Sequence, residues 1–440
     1  MSACLLRAAD DQQLTPGQRD LNVQSFELIW ATLRDHYWDA KMNGVDWQKA
    51  RDRLRREVSQ ASTMPKARAA MDRMLALLDS SHLAIIPAAF YKKSRSESRA
   101  SKPEADVAQA DDEALESASA AEDKDGSTGI GVTTLEKRIV VQSVEAGSPA
   151  AAAGVLPGWT ITAVDGIKTE WLLMSMQDVH TPERDAIINA SIRARLSGAV
   201  DSRVRVELVD GKGQALTREM ARTGSKGKLV RLGYLPPSRV WLESRTLDSG
   251  AGYIRLNLFL DPVSVMPEFE RAVRSMMHAP GIVLDLRDNS GGIGIMAMGI
   301  AGWFVPDQGK KLGTMTSRDL TLKFVINPRI ETYTGPLAIL VDSGSASTTE
   351  ILAQGLQDLK RTRVFGTRTA GAALASQFVR LPNRDRFQYP EANYVSENGR
   401  TLEKNGVIPD VEVSQTIESL LGGKDLPLEA AAEWIKRHEK

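Results

Sequence analysis

The stretch Gly344–Leu352, GSASTTEIL, follows the apolar run Leu337–Asp342, LAILVD. Ser347, Thr348, Thr349 and Glu350 have capping-box spacing, a hydroxyl at the cap and a carboxylate three residues on. On that reading Ser347 only starts a helix. The same place suits a nucleophile. In α/β sheets, sites gather at the carboxyl ends of strands, and the free N–H groups of a helix N-terminus stabilise developing negative charge. One position serves both readings.

A second strand ends at LRDNSGG, with adjacent glycines Gly291 and Gly292. Glycine permits backbone conformations and close approach that other residues forbid. This pair reads either as a tight turn or as a source of a backbone N–H aimed at an oxyanion. Among five histidines, His36, His82, His180, His278 and His438, only His82 closes a motif, LLDSSHL. Alone it reads as a cap or surface residue.

These candidates need elements to carry them. Phe26, Ile29, Leu33 and Tyr37 share a helical face, as do Trp47, Leu54 and Val58, and Met71, Met74, Leu75 and Leu78. With Asn43-Gly44 as a turn, they predict an N-terminal helical unit over 1–92 that carries Ser81 and His82. Residues 93–127 are rich in Ser, Ala, Asp and Glu and bury too little apolar area to offset ordering entropy, so they read as a disordered linker. From 128 to 225 the chain is β-rich, with clean alternation in RVRVELVDG, a hairpin signal at Asp210-Gly211 and a helical insert near 172–195. From 226 to 440 the pattern is β/α, with GIVLDLR as a strand covered on both faces and IGIMAMGIAGWFV as a buried helix. The fold class is α/β, in a multidomain α+β arrangement.

The chain has 440 residues, 42% hydrophobic and 25% charged, with formal net charge +0, so no overall field favours nucleic acid or an anionic membrane. One cysteine, Cys4, excludes an internal disulfide. No run reaches the roughly 18 apolar residues of a transmembrane helix, and no signal-peptide apolar region is present. The start MSAC-LL fits the stub of a trimmed lipoprotein signal with Cys4 as the former lipidation site, which would give peripheral membrane association; a plain start explains it as well. No metal-ligand cluster or phosphate loop is present, so no cofactor is expected.

The runs VLDLRDNSGG, LVDSGSASTTEILAQGLQD, VFGTRTAG and NGVIPDVEV, in order, resemble the C-terminal processing (tail-specific) serine proteases. GIGVTTLEKRIVVQSVEAGSPAAAAGVLPGWTITAVDG resembles the PDZ domain those proteases carry. The resemblance implies Ser347 as nucleophile, with the N–H of Thr348 and of Gly291 (or Gly292) as the oxyanion hole. It also implies a PDZ β-sandwich-like domain whose loop Gly129, Ile130, Gly131 and Val132 captures a peptide carboxylate while the peptide adds as a strand. One branch uses a lysine base in a motif like TFGKG; here Ala372 holds that position and takes no proton. The sequence is then similar to the tricorn-like branch, where a Ser-His pair before the PDZ region serves the nucleophile and a glutamate completes the set. These positions are Ser81, His82 and Glu403. A histidine is the natural base at neutral pH, and it needs a partner to fix its tautomer.

The expected function is a serine endopeptidase acting on polypeptides with an extended or unfolded C-terminus. The helical unit reaches the core either within one chain or by exchange in a homo-oligomer. The resemblance implies an extracytoplasmic bacterial location. The alternative is a non-catalytic ligand- or peptide-binding protein, either on the fold of retinoid-binding proteins or as a PDZ scaffold.

Overall fold

The computed structural model describes residues 12–88, 125–175, 181–233, 235 and 237–438. Cys4, His180 and residues 93–124 of the expected linker lie outside them.

Three helices open the described chain: α1 (Pro16–His36), α2 (Trp47–Gln60) and α3 (Met64–Ala76). Thr15 caps α1 and Asp46 caps α2 through their side-chain oxygens, and α1 and α3 carry proline in the first turn. Their apolar stripes meet in one buried cluster of Phe26, Ile29, Leu33, Tyr37, Trp47, Leu54, Val58, Met71, Met74 and Leu78. Leu381 and Phe387, from far along the chain, complete that cluster. Strand β1 (Ala84–Ile86) follows directly after Ser81-His82.

Residues 125–127, the end of the expected linker, form a strand, β2 (Asp125–Ser127), which pairs with Gly198–Ala199 on one side and Thr223–Gly224 on the other. Next comes an antiparallel sheet in chain order, β3 (Ile130–Leu135), β4 (Arg138–Val144), β5 (Thr160–Val164), β6 (Arg203–Val209) and β7 (Ala215–Ala221), with the short strand Ile167–Lys168 paired to β5. Val204, Val206 and Leu208 point inward, as the alternation predicts. Helix α4 (Thr181–Leu196) lies beside β3, the outer strand.

The remainder runs β8 (Leu242–Thr246), β9 (Gly252–Leu256), α5 (Pro262–Ser275), β10 (Ile282–Asp285), α6 (Gly294–Ala301), β11 (Lys311–Thr316), β12 (Thr321–Val325), β13 (Leu337–Val341), α7 (Thr348–Asp358), β14 (Arg363–Gly366), β15 (Ala375–Arg380), β16 (Arg386–Ser396), β17 (Val411–Glu412), α8 (Ile417–Leu421) and α9 (Leu426–Arg437). The main sheet has the order β8-β9-β10-β13-β14-β17. Only β8 is antiparallel to its neighbour. Every residue of β10 and β13 is buried, because α5, α6 and α7 cover one face and α9 the other. A second sheet runs β1-β16-β11-β12, with β15 also on β16. The pairs Ala84↔Gln388 and Ile86↔Arg386 put β1 on that sheet, so the helical unit docks on its own chain. The fold is α/β.

Candidate active site

Strands β10 and β13 are parallel neighbours, so the segments that leave their carboxyl ends, Leu286–Gly292 and Asp342–Ser347, emerge side by side. Asp342 Oδ1 accepts from the N–H of Asp288 (2.8 Å) and of Gly344 (2.9 Å). Ser345 Oγ donates to Leu286 O at 2.8 Å. Asn289 O accepts from Ala346 N (3.0 Å) and Thr349 Oγ (2.9 Å). Burial, then the neighbouring Asp288, push the Asp342 carboxyl up from its ordinary value.

Ser347 sits at the N-cap of α7 with φ 55° and ψ −117°, a conformation that L residues rarely hold. Its N–H is shared between Ala372 O (2.9 Å) and Glu350 Oε2 (2.9 Å). The capping carboxylate is thus in place, and the cap and the candidate nucleophile coincide. Gly291 is required by space: a Cβ there would lie 2.8 Å from Ser347 Cβ and 2.8 Å from Thr348 N. Its own N–H donates to Asn289 Oδ1 at 2.9 Å, and the Asn289 amide donates to Leu256 O at 2.8 Å. The N–H groups of Gly292 and Thr348 have no acceptor among the described residues. Thr348 Oγ donates to Gly292 O at 2.8 Å and ties the two loops together.

The other half comes from the helical unit. Ser81 N donates to Glu403 Oε1 (2.8 Å), Ser81 Oγ donates to Glu403 Oε2 (2.9 Å), and Ser81 Oγ lies 2.7 Å from His82 Nδ1. The Ser81 hydroxyl has one proton, and Glu403 takes it. His82 Nδ1 must then carry the hydrogen of its own bond, which assigns the lone pair to Nε2. Burial lowers the His82 pKa to about 4, so the ring is neutral at pH 7. Burial raises the Glu403 pKa, against the pull of its Ser81 and Ala373 hydrogen bonds. Ala372, where the resemblance would put a lysine, donates its N–H to Glu350 Oε2 at 3.0 Å. The turn 371–373 therefore touches both halves: Ser347 through Ala372 O and Glu403 through Ala373 N.

Gly129 has φ 77°, and a Cβ there would lie 2.2 Å from Ser148 Cβ. Ile130, Gly131 and Val132 form the start of outer strand β3. Thr134 Oγ donates to Asn189 Oδ1 at 2.9 Å, bridging β3 and α4. One turn further along α4, Arg193 Nη1 pairs with Asp288 Oδ2 at 2.7 Å, so this domain touches the loop that carries Gly291. His36 and His438 are exposed on the surface. Among the described residues no cluster of His, Cys, Asp and Glu could hold a metal ion, and no helix is long and apolar enough to cross a membrane.

Sequence reasoning read Glu350 only as a cap and passed over Asn289, Asp288 and Arg193. The capping-box spacing was the one available signal for Glu350. The others depend on contacts between distant segments.

Residues 250–413 match Peptidase family S41, and residues 22–76 match the Tricorn protease C1 domain. A carboxyl-terminal-processing protease of Synechocystis sp. is 27% identical over 66% of this chain and 62% of its own length. A chloroplastic C-terminal processing peptidase of Tetradesmus obliquus is 29% identical over 64% of this chain and 58% of its own. The chain thus spans under two thirds of either relative. The solved photosystem II D1 C-terminal processing protease superposes with TM-score 0.57 at 22% identity, covering 94% of this chain and 96% of that one, a likeness of fold.

Proposed function

We propose that the protein is a serine endopeptidase of the tricorn-like Ser/His kind, cutting polypeptides presented by an extended or unfolded C-terminus. One observation carries this reading: the chain of hydrogen bonds Glu403–Ser81–His82 joins residues 322 apart in sequence and leaves a neutral imidazole with its Nε2 free. A carrier protein on the same fold has no use for that arrangement.

In this mechanism Ser347 Oγ attacks the peptide carbonyl while His82 Nε2 accepts its proton. The Ser81 hydroxyl and Glu403 stabilise the imidazolium that forms. The Gly292 and Thr348 N–H groups receive the oxyanion in the space that Gly291 keeps open. His82 returns the proton to the leaving amine, and water, activated by the same ring, releases the acyl-enzyme. The β3–β7 domain acts as a PDZ module, with Gly129–Val132 receiving a C-terminal carboxylate and outer strand β3 receiving the peptide. Strand β1 and the Ser81–Glu403 bonds dock the helical unit on its own chain, which supports an intrachain rather than an exchanged arrangement. An extracytoplasmic location rests on the resemblance alone.

Labelling with a serine-reactive phosphonate tests the reading. Covalent label is expected on Ser347 in the parent, lost in Ser347→Ala and slowed in His82→Ala. Unchanged labelling in both variants overturns the assignment, and peptide binding without label or turnover favours the carrier or scaffold.

A further inference from the structure

Glu350 is wholly buried, yet it carries a carboxylate on which four donors converge. Oε1 accepts from Thr369 Oγ (2.5 Å) and Gly371 N (2.8 Å). Oε2 accepts from Ser347 N (2.9 Å) and Ala372 N (3.0 Å). A cap needs only one of these bonds. The other three hold the turn 369–372 against the nucleophile. That turn is in turn bonded to the segment bearing Glu403: Lys404 N donates to Gly371 O (2.7 Å) and Val407 N to Thr369 Oγ (2.7 Å). A continuous path thus runs Ser347–Glu350–turn 369–372–segment 403–407–Ser81–His82.

We propose that Glu350 is a positioning residue for hydrolysis: ionised, it fixes the separation of the Ser347 and Glu403–Ser81–His82 halves, and protonated it loosens that separation and slows the reaction. The inference rests on the peptidase reading above. Its physical basis is donor count. An ionised carboxylate offers about four lone-pair sites for four donors, whereas a protonated one offers about three and adds a hydrogen of its own, so one of the converging donors loses its acceptor. A buried donor left unsatisfied is unfavourable, and the turn shifts to find it a partner. The groups facing Glu350 are neutral: the Thr369 hydroxyl and three backbone N–H groups. The nearest ionisable groups along the path are Glu403 beyond the turn and His82 beyond Ser81. Burial pushes the Glu350 carboxyl up to about 7, against the pull of its four hydrogen bonds. His82, lowered to about 4, titrates well apart from it.

The test is the pH dependence of kcat and KM on a denatured-protein or unstructured-peptide substrate for the parent, Glu350→Gln and Glu350→Asp. The parent is expected to gain rate through a midpoint near 7. Glu350→Gln, an isostere of the protonated acid, should lose about 10²-fold in kcat with KM little changed, and should lack that midpoint. Glu350→Asp should keep the midpoint with intermediate kcat. Full rate in Glu350→Gln, or a lowered rate that keeps the midpoint near 7, overturns the proposal. Should the variants fail to fold, the pH dependence of phosphonate labelling in the parent decides. A midpoint near 7 supports the role, and labelling flat from pH 5 to 8 overturns it. Failure of the peptidase reading shows separately, as labelling that survives in Ser347→Ala.

Discussion

The two halves of the candidate site are held in opposite ways. The Ser347 half grows out of the fully buried strand β13 and helix α7, and its loops are laced by backbone bonds to Leu286, Asn289 and Ala372. The His82 half belongs to a separate helical cluster and meets the core across a docking surface. Leu381 and Phe387 enter its apolar cluster, and its polar ties include the three-residue strand β1 on β16, the Arg68–Asp385 ion pair (2.9 and 3.0 Å), Ala88 N on Asp385 (2.9 Å), Asn383 N on Ser25 Oγ (3.0 Å), Arg318 on Tyr37 O (2.7 Å) and the Ser81–Glu403 bonds. Core folding therefore presets the Ser347 half, whereas the His82 half arrives by docking. Loss of activity without loss of the core fold should trace to the docking surface.

Removing a reacting group from either half should have the largest and most similar effects. Ser347→Ala and His82→Ala should each lower peptide hydrolysis by about 10⁴-fold or more, the loss expected when members of a unit are removed. A His82→Ala loss under tenfold, measured by steady-state kinetics, would place the base elsewhere. The next effect separates the halves. Asp385 is buried with Arg68 across from it, and breaking such a pair costs about 3–5 kcal/mol because one charge is left unpaired. Arg68→Ala should cut hydrolysis by about 10²-fold and expose the helical unit to limited proteolysis while the α/β core still melts cooperatively. Arg68→Leu with Asp385→Asn should recover part of it. A single melting transition that moves as one unit would show the halves are not separable.

The smallest effect is in the pH dependence of stability. His82 has its folded pKa depressed to about 4, so between its unfolded value and 4 the unfolded chain takes up the proton first, and stability falls as pH drops. Glu350 has its folded pKa raised to about 7, so its stabilising contribution is full below its unfolded value and is lost as pH rises through 7. The two slopes oppose each other between about pH 4.5 and 6.5. Melting followed against pH should tilt toward acid stability in His82→Ala and toward alkaline stability in Glu350→Gln, by up to about 1 kcal/mol per pH unit. Parallel curves for all three proteins would mean that neither group titrates as described.

The pattern of elements was readable because it is local. Helical stripes such as Phe26–Tyr37 and the alternation in β6 need only their own residues, and the turn at Asn43-Gly44 only its backbone preference. The Ser347 junction was readable as a strand handing over to a helix, though its role needed the wider resemblance. What stayed hidden depends on pairing across the fold. Asp125–Ser127 carries no apolar pattern and is a strand only because backbone partners flank it on both sides. The Asn289 grip on the Gly291 N–H turns on loop geometry. Arg193–Asp288 and Arg68–Asp385 join residues 95 and 317 apart.

Ser347 sits in a backbone region where glycine is at ease. That places torsional strain of about 1–3 kcal/mol at the candidate nucleophile's own residue. An inactive version made with glycine should unfold at a higher temperature than one made with alanine, although both lack the hydroxyl. Evolution toward a hardier molecule would thus face a shortcut through the residue it can least spare.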